Sequence, residues 1–291
     1  MTTAKTIAVL GAGGTMGLPM ARNLASAGFG VRAWNRSPEK AQPLADDGVK
    51  LCASAAEAAA GAGVILTMLS AADAVLDVMQ SAAEGVEPQA VWLQMSTIGI
   101  AGTDRCVQLA QRHGLRFVDA PVLGTKAPAQ QGKLVVLASG PDDLHDVADP
   151  IFDAVGARTM WLGEAAGAAT RLKMAVNTWI LAVVEGAAES LALAEGLGLD
   201  PSLVLEAVAG GPLDLPYLQM KGKAMIARDF APSFSLALAA KDAGLVEEAA
   251  AEHGLDLPLA STIRRRLEEA VGEHGEEDLS ATFLTSVLKS A

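Results

Sequence analysis

Short apolar runs and helical patterns alternate along the first part of the chain, and the alternation stops near Gly167. Thr6 to Leu10, Phe29 to Trp34, Val49 to Cys52, Val64 to Leu69, Ala90 to Met95, Leu115 to Asp119, Leu134 to Ala138 and Ala157 to Leu162 carry the compact apolar signature of strands. Helical spacing fills the intervals, at Leu18 to Ser26, Pro38 to Asp46, residues 54–60, from Ala72, up to His113 and from Asp142. Strand after helix at such intervals predicts a parallel, doubly wound sheet, whose ligands sit beyond the carboxyl ends of its strands.

Gly163 to Gly167 reads as a hinge, and Thr170 to Gly196 as one proline-free helix. Its apolar positions at Leu172, Val176, Trp179, Val183, Ala187, Leu191 and Ala194 follow the three-to-four spacing of a helical face. Because Trp179 to Val184 is apolar throughout, this helix is expected to be buried all round. At about 1.5 Å per residue it makes a rod of about 40 Å. Pro201 to Ala209, Leu215 to Arg228, Leu236 to His253, Leu259 to Val271 and Glu277 to Leu288 read as further helices separated by Gly and Pro. The expected class is α/β: a doubly wound domain over residues 1–163 and an all-α domain over residues 164–291, joined by the long interdomain helix.

Composition narrows the partners. The 291 residues are 51% hydrophobic, enough for one or two cores. Twenty-two basic against 34 acidic residues leave a net charge of −12, and the one basic run, Arg264 to Arg266, sits among glutamates. Nucleic acid and anionic membrane are therefore poor candidates as partners. Cys52 and Cys106 lack metal-ligand spacing and read as small core residues in a reducing compartment; no metal site is expected. Lys5 leads straight into an apolar run ending at glycines, which is neither a signal peptide nor a membrane span, so a soluble cytoplasmic protein is expected.

The candidate chemistry begins at the first strand's end. Gly11-Ala12-Gly13-Gly14-Thr15-Met16-Gly17 stands between strand and helix, where small residues let a pyrophosphate approach the amides of the helix N-terminus. Gly11 and Gly13 run on to Met16 at the fingerprint spacing, while Ala12, Gly14 and Gly17 keep that spacing without the first glycine. This context marks the first domain as Rossmann-like.

Asn35-Arg36-Ser37 ends the second strand, where an acidic residue is expected when the ribose hydroxyls of NAD are bound. Asn35 removes that carboxylate, and Arg36 and Ser37 offer a cation and a hydroxyl to a 2′-phosphate, so NADP(H) is the expected cofactor. The alternative for Arg36 is a solvated loop residue. Thr97, at the end of the Ala90 to Met95 strand, is placed to face the nicotinamide or the substrate; capping of the next helix by Ser96 or Thr97 is the alternative.

Leu123-Gly124-Thr125 lies in a turn with exposed amides suited to a carboxylate. Lys173 and Asn177 share one face of the long helix; the alternative is a lysine that keeps its amine in solvent. Lys241-Asp242 follows Phe234 in a largely apolar helix, with a plain surface pair as the alternative.

Four of these pieces together resemble the β-hydroxyacid dehydrogenase family, the group of 3-hydroxyisobutyrate dehydrogenases, tartronate semialdehyde reductases and glyoxylate/succinic semialdehyde reductases. They are Gly14-Thr15-Met16-Gly17, Asp119-Ala120-Pro121-Val122 with Gly124, Lys173 with Asn177, and Lys241-Asp242, and the resemblance spans nearly the whole chain. It implies that Lys173 is the catalytic acid/base, that Asn177 orients the substrate, and that Leu123 to Thr125 bind a substrate carboxylate. It also implies that Thr97, Phe234, Lys241 and Asp242 line the cofactor and substrate cleft, with Leu69 among the cofactor contacts.

The Asn35-Arg36-Ser37 run is similar to that of the NADP-using members, particularly the glyoxylate/succinic semialdehyde reductases. Two positions depart from the family: Ala12 stands where its first glycine is usual, and Leu123 where a serine commonly serves the substrate carboxylate. The Gly124 and Thr125 amides, or the Thr125 hydroxyl, then take that role.

The resemblance implies an oxidoreductase moving hydride between NADP(H) and a small β-hydroxyacid or aldehyde acid such as glyoxylate or succinic semialdehyde. An imine reductase on the same fold and a non-catalytic NADP-binding protein are the alternatives. Abundant apolar helical surface, together with the family, implies a homodimer or homotetramer.

Overall fold

The computed structural model describes residues 6–83 and 85–287, and these divide into two compact units at Lys173/Met174. Among the described residues the first unit is built on nine strands and seven α-helices. The strands are β1 (Ile7–Leu10), β2 (Val31–Trp34), β3 (Lys50–Leu51), β4 (Val64–Thr67), β5 (Val91–Gln94), β6 (Arg116–Asp119), β7 (Val122–Leu123), β8 (Leu134–Ala138) and β9 (Gly156–Trp161). The helices are α1 (Gly17–Ser26), α2 (Pro38–Ala41), α3 (Ala55–Ala59), α4 (Ala72–Ala83), α5 (Gly99–Arg112), α6 (Lys126–Gln130) and α7 (His145–Val155).

Six strands form a parallel sheet in the order β3-β2-β1-β4-β5-β6. Every residue of β1, β4 and β5 is buried, as a parallel sheet covered on both faces requires. Alternate residues of β1 serve the two faces. Ile7 and Val9 pack with Met20 and Leu24 of α1 and Phe152 of α7, whereas Ala8 and Leu10 pack with Met79 of α4 and Leu109 of α5. The strand order reverses between β1 and β4, which opens a crevice at their carboxyl ends.

The expected single sheet is in fact two. After β6, Pro121 lacks the N–H a ladder needs, and the chain turns into a separate sheet of order β7-β8-β9, antiparallel at its first pair and parallel at its second. A main-chain pair between Asp119 and Ser139 ties the two sheets together.

Helix α8 (Ala168–Gly196) begins in the first unit and continues into the second, which adds α9 (Ser202–Val208), α10 (Pro216–Ala227), α11 (Leu236–Glu252) and α12 (Pro258–His274). Leu181, Val184, Ala188 and Leu191 of α8 form this unit's core with Met225, Ala239, Ile263, Leu267 and Phe283. The expected last helix is instead a 3-10 segment, Leu279–Thr285. Its serine and threonines favour local hydrogen bonds over the α-helix, and Asp278 caps its start. Leu288, the expected end of that helix, lies outside the described residues.

Burial all round is also corrected for α8. Ala175, Trp179, Gly186, Ser190 and Leu193 make an exposed stripe, with Trp179 62% and Leu193 64% exposed. The unit packs on the other side of the rod, and helical periodicity leaves this side uncovered. Among the described residues α8 is the one helix long and apolar enough to cross a bilayer. It nonetheless buries Lys173, Asn177 and Glu185, and the Glu185 carboxylate takes hydrogen bonds from Arg266 at 2.9 Å and from the Thr282 hydroxyl.

Candidate active site

The turn after β1 is set by contacts that leave no room for side chains. Gly11 has φ +96°, and a Cβ there would lie 2.2 Å from the Met68 carbonyl oxygen, while one on Gly17 would lie 2.2 Å from the Gly11 carbonyl oxygen. Gly11 therefore makes the tight turn and Gly17 the close packing of α1 on β1, and the buried Ala12 between them belongs to the core. At the tip Gly14 and Thr15 are exposed, and Met16 is half-buried just before α1. A pyrophosphate can approach this exposed tip, where the N-terminal end of α1 favours negative charge; the Leu18 and Met20 amides are already bonded to the Gly14 and Met16 carbonyls, and Pro19 has no N–H. The loop thus fits a dinucleotide despite its irregular spacing.

The end of β2 is fastened to that loop. Asn35 accepts a hydrogen bond from the Gly13 amide at 3.1 Å and donates one to the Ser37 carbonyl at 2.9 Å. A Cβ on Gly13 would strike the Asn35 side chain at 2.7 Å. Arg36 is exposed beside this junction and Ser37 is half-buried, preceding α2.

At the ends of β4 and β5 a buried polar network shapes the crevice. Gln94 accepts from the Ser96 amide at 2.8 Å and donates to the Ser96 carbonyl at 2.9 Å. The Ser96 hydroxyl accepts from the Leu69 amide at 2.9 Å, so Leu69 and Thr97 are held by one device. Neither Ser96 nor Thr97 caps α5, whose N-cap is Ile98. The turn expected at residues 123–125 is partly regular. Leu123 is half-buried in β7, Gly124 is exposed with φ +126°, and Thr125 precedes α6.

Lys173 is 8% exposed, and its amine donates to the Val122 carbonyl at 2.9 Å, which removes the alternative of an amine in solvent. One turn earlier, Thr170 binds the buried carboxylate of Asp119 through its amide and its hydroxyl, both at 2.8 Å. Burial is the largest influence on Asp119 and pushes its pKa up to about 6, against hydrogen bonds from Thr170, Gly167 and Ser139.

In the second unit, Asn177 and Asp242 are each 4% exposed, and the Asn177 amide donates to Asp242 at 2.9 Å. Lys241 pairs with the other Asp242 oxygen at 2.7 Å, so this is a half-buried cluster rather than a plain surface pair. Phe234 is half-buried, and its amide donates to Asp278 at 3.2 Å.

A family model described as the NAD binding domain of 6-phosphogluconate dehydrogenase matches residues 6–163. A second, described as NAD-binding of NADP-dependent 3-hydroxyisobutyrate dehydrogenase, matches residues 167–285. The probable 3-hydroxyisobutyrate dehydrogenase of Mycobacterium tuberculosis is 32% identical over 288 residues, covering 96% of this chain and 97% of its own. The chain belongs to the β-hydroxyacid dehydrogenase family.

Another relative, glyoxylate/succinic semialdehyde reductase 2 (chloroplastic) of Arabidopsis thaliana, is 30% identical over 281 residues, 96% of this chain and 78% of its own. A solved structure of M. tuberculosis 3-hydroxyisobutyrate dehydrogenase with L-serine matches at a TM-score of 0.87 and 30% identity, over 97% of this chain and 99% of that one. The protein is an oxidoreductase whose first unit is an NAD(P)-binding domain.

Three parts of the site region escaped sequence reasoning: the Gln94–Ser96 network, the bond of Thr170 to Asp119, and Asp278. Each is built of ordinary polar residues that also bond to distant parts of the chain: Ser96 to Leu69, Thr170 to Asp119, and Asp278 to Lys221. Asp119 alone carried a signal, as an acidic residue closing an otherwise apolar strand.

Proposed function

We propose that the protein interconverts a small aldehyde acid and its hydroxyacid with NADP(H), and that Lys173 is the acid/base. The observation that carries this reading is the buried Lys173 amine, fixed at the Val122 carbonyl directly before the Leu123–Thr125 turn. A bound nicotinamide supplies the hydride for reduction. Lys173, as ammonium, hydrogen-bonds the substrate carbonyl oxygen and passes its proton to the forming alkoxide; in the reverse direction the neutral amine takes the hydroxyl proton. Asn177, held by Asp242, orients the substrate, and the Gly124 and Thr125 amides receive its carboxylate.

The substrate class follows the relatives. One relative is named for glyoxylate and succinic semialdehyde, and the tuberculosis enzyme was solved with L-serine, itself a β-hydroxyacid. Preference for NADP(H) rests on Asn35 in place of an acidic residue at the end of β2 and on exposed Arg36. The exposed stripe of α8, with Leu197 68% exposed at its end, supports assembly of the chain with copies of itself. Sedimentation of the wild type beside Trp179→Glu tests this, and a monomeric wild type overturns it.

Turnover decides the main reading. Glyoxylate, succinic semialdehyde, tartronate semialdehyde, methylmalonate semialdehyde and a cyclic imine are offered with NADPH and then NADH. Reduction of an aldehyde acid, lost by orders of magnitude in Lys173→Ala with cofactor affinity kept, supports it. Turnover of the imine alone, or an active Lys173→Ala, overturns it.

A further inference from the structure

Asp119 ends β6 fully buried, and both its carboxylate oxygens are taken up by the first turn of α8. Among the described residues it forms no ion pair; its partners are hydroxyls and amides. A buried carboxylate without a cation is a costly way to join two elements, because neutral side chains would join them without the desolvation of a charge. Its position at a helix N-terminus offsets part of that cost.

The surroundings brace the same turn. The Thr170 hydroxyl lies 3.1 Å from that of Thr103, which donates to the Gly99 carbonyl at 2.9 Å. The Ser139 hydroxyl accepts from the Ala169 amide at 3.1 Å. Asp119 and Ser139 exchange main-chain hydrogen bonds at 3.0 and 2.9 Å. Every group in this bracket belongs to the first unit.

Lys173 follows Thr170 by three residues, and Val122 follows Asp119 by three. One short segment thus grips α8 twice, at its backbone through the Asp119 carboxylate and at the lysine amine through the Val122 carbonyl. We propose that Asp119 is a positioning residue for the reaction, holding the first turn of α8 so that the Lys173 amine stands where the substrate oxygen is protonated. This rests on Lys173 being the acid/base. A lysine on a rod is only as well placed as the rod's first turn, and displacement by about 1 Å costs about a hundredfold in rate.

Asp119→Asn keeps the shape but turns an N–H toward one of the two Thr170 donors. Thr170→Val removes the hydroxyl and keeps the amide, and serves where the Asn variant does not fold. In either variant kcat is expected to fall about 10- to 100-fold, with NADPH affinity unchanged and the lysine limb of the kcat profile against pH displaced. Wild-type kcat and pH profile in a folded variant, with Lys173→Ala inactive, overturn the proposal and leave the lysine reading standing. An active Lys173→Ala overturns the lysine reading and the proposal with it. A fall in kcat with an unmoved pH limb, or matched by loss of NADPH affinity, marks Asp119 as merely structural and also overturns it.

Discussion

The side-chain oxygen of Asn35 accepts the Gly13 amide while its nitrogen donates to Ser37, so one carboxamide joins the glycine loop to the loop after β2. Asn35→Asp retains the first bond and turns the second into an oxygen facing an oxygen. The variant should lose about 1 kcal/mol of stability, and its KM for NADPH should rise about tenfold through repulsion of the 2′-phosphate. Arg36→Ala should raise KM for NADPH and leave that for NADH unchanged. Denaturant unfolding and paired cofactor kinetics check both.

Gly17 packs against the Gly11 carbonyl with no space for a β-carbon. Gly17→Ala should therefore push α1 away from β1, at about 1–3 kcal/mol, and weaken dinucleotide binding. Gly14→Ala, whose Cβ would meet nothing nearer than 3.4 Å, should fold normally. Melting temperature and NADPH titration of the two variants separate packing from the anion site.

Two buried carboxylates give stability opposite pH dependences. Burial is the largest influence on Asp278 and pushes its pKa up, but Lys221 at 2.6 Å and the amides of Ser280 and Ser233 outweigh it and hold the group well below the usual carboxylate range. Its contribution is present above the unfolded pKa and is lost as pH falls below about 4. Asp119, raised to about 6, binds its proton more tightly when folded, so its contribution grows as pH falls from about 6 to about 4. Asp278→Asn should flatten the acid limb of stability and cost about 3–5 kcal/mol at neutral pH by stranding Lys221. Asp119→Asn should flatten the segment above that limb. Urea midpoints measured across this pH range check both signs.

Leu123 puts an apolar side chain where the family commonly has a hydroxyl. On the carboxylate reading, Leu123→Ser adds a hydrogen-bond donor and should lower KM for an aldehyde acid severalfold, with kcat little changed. A rise in KM on all acids would mean that the pocket selects for a less polar substrate.

Much of the fold is legible in the sequence because its signals are local. The apolar runs at Ile7–Leu10 and Val64–Thr67 and the glycines after the first mark the sheet and its crevice without any tertiary information. What escaped depends on pairing, capping and packing that the apolar pattern alone does not show. Pro121 diverts the chain into a second sheet only because β8 stands ready to pair, and the Ser280–Thr285 run reads as helical until Asp278 caps it as a 3-10 turn. Trp179 looked buried because its neighbours are apolar, whereas its place on the helix circumference turns it outward. The candidate site divides similarly. Lys173 and Asn177 stand out as polar residues in an apolar helix, and Asp119 as an acidic residue closing an apolar strand, while Gln94 reveals nothing until its partners are known.

The double grip that Asp119 and Val122 exert on α8 has a bearing on how such a chain can diverge. The Leu123 and Thr125 side chains can be exchanged without loosening either grip, since neither grip passes through them, whereas Gly124 between them, at φ +126°, has no room for a β-carbon. An insertion or deletion between residues 119 and 122 would throw the carboxylate and the carbonyl out of step with Thr170 and Lys173 at once. New substrate preferences can therefore arise by substitution just beyond Val122, while the length of the segment before it is held constant by the lysine it serves.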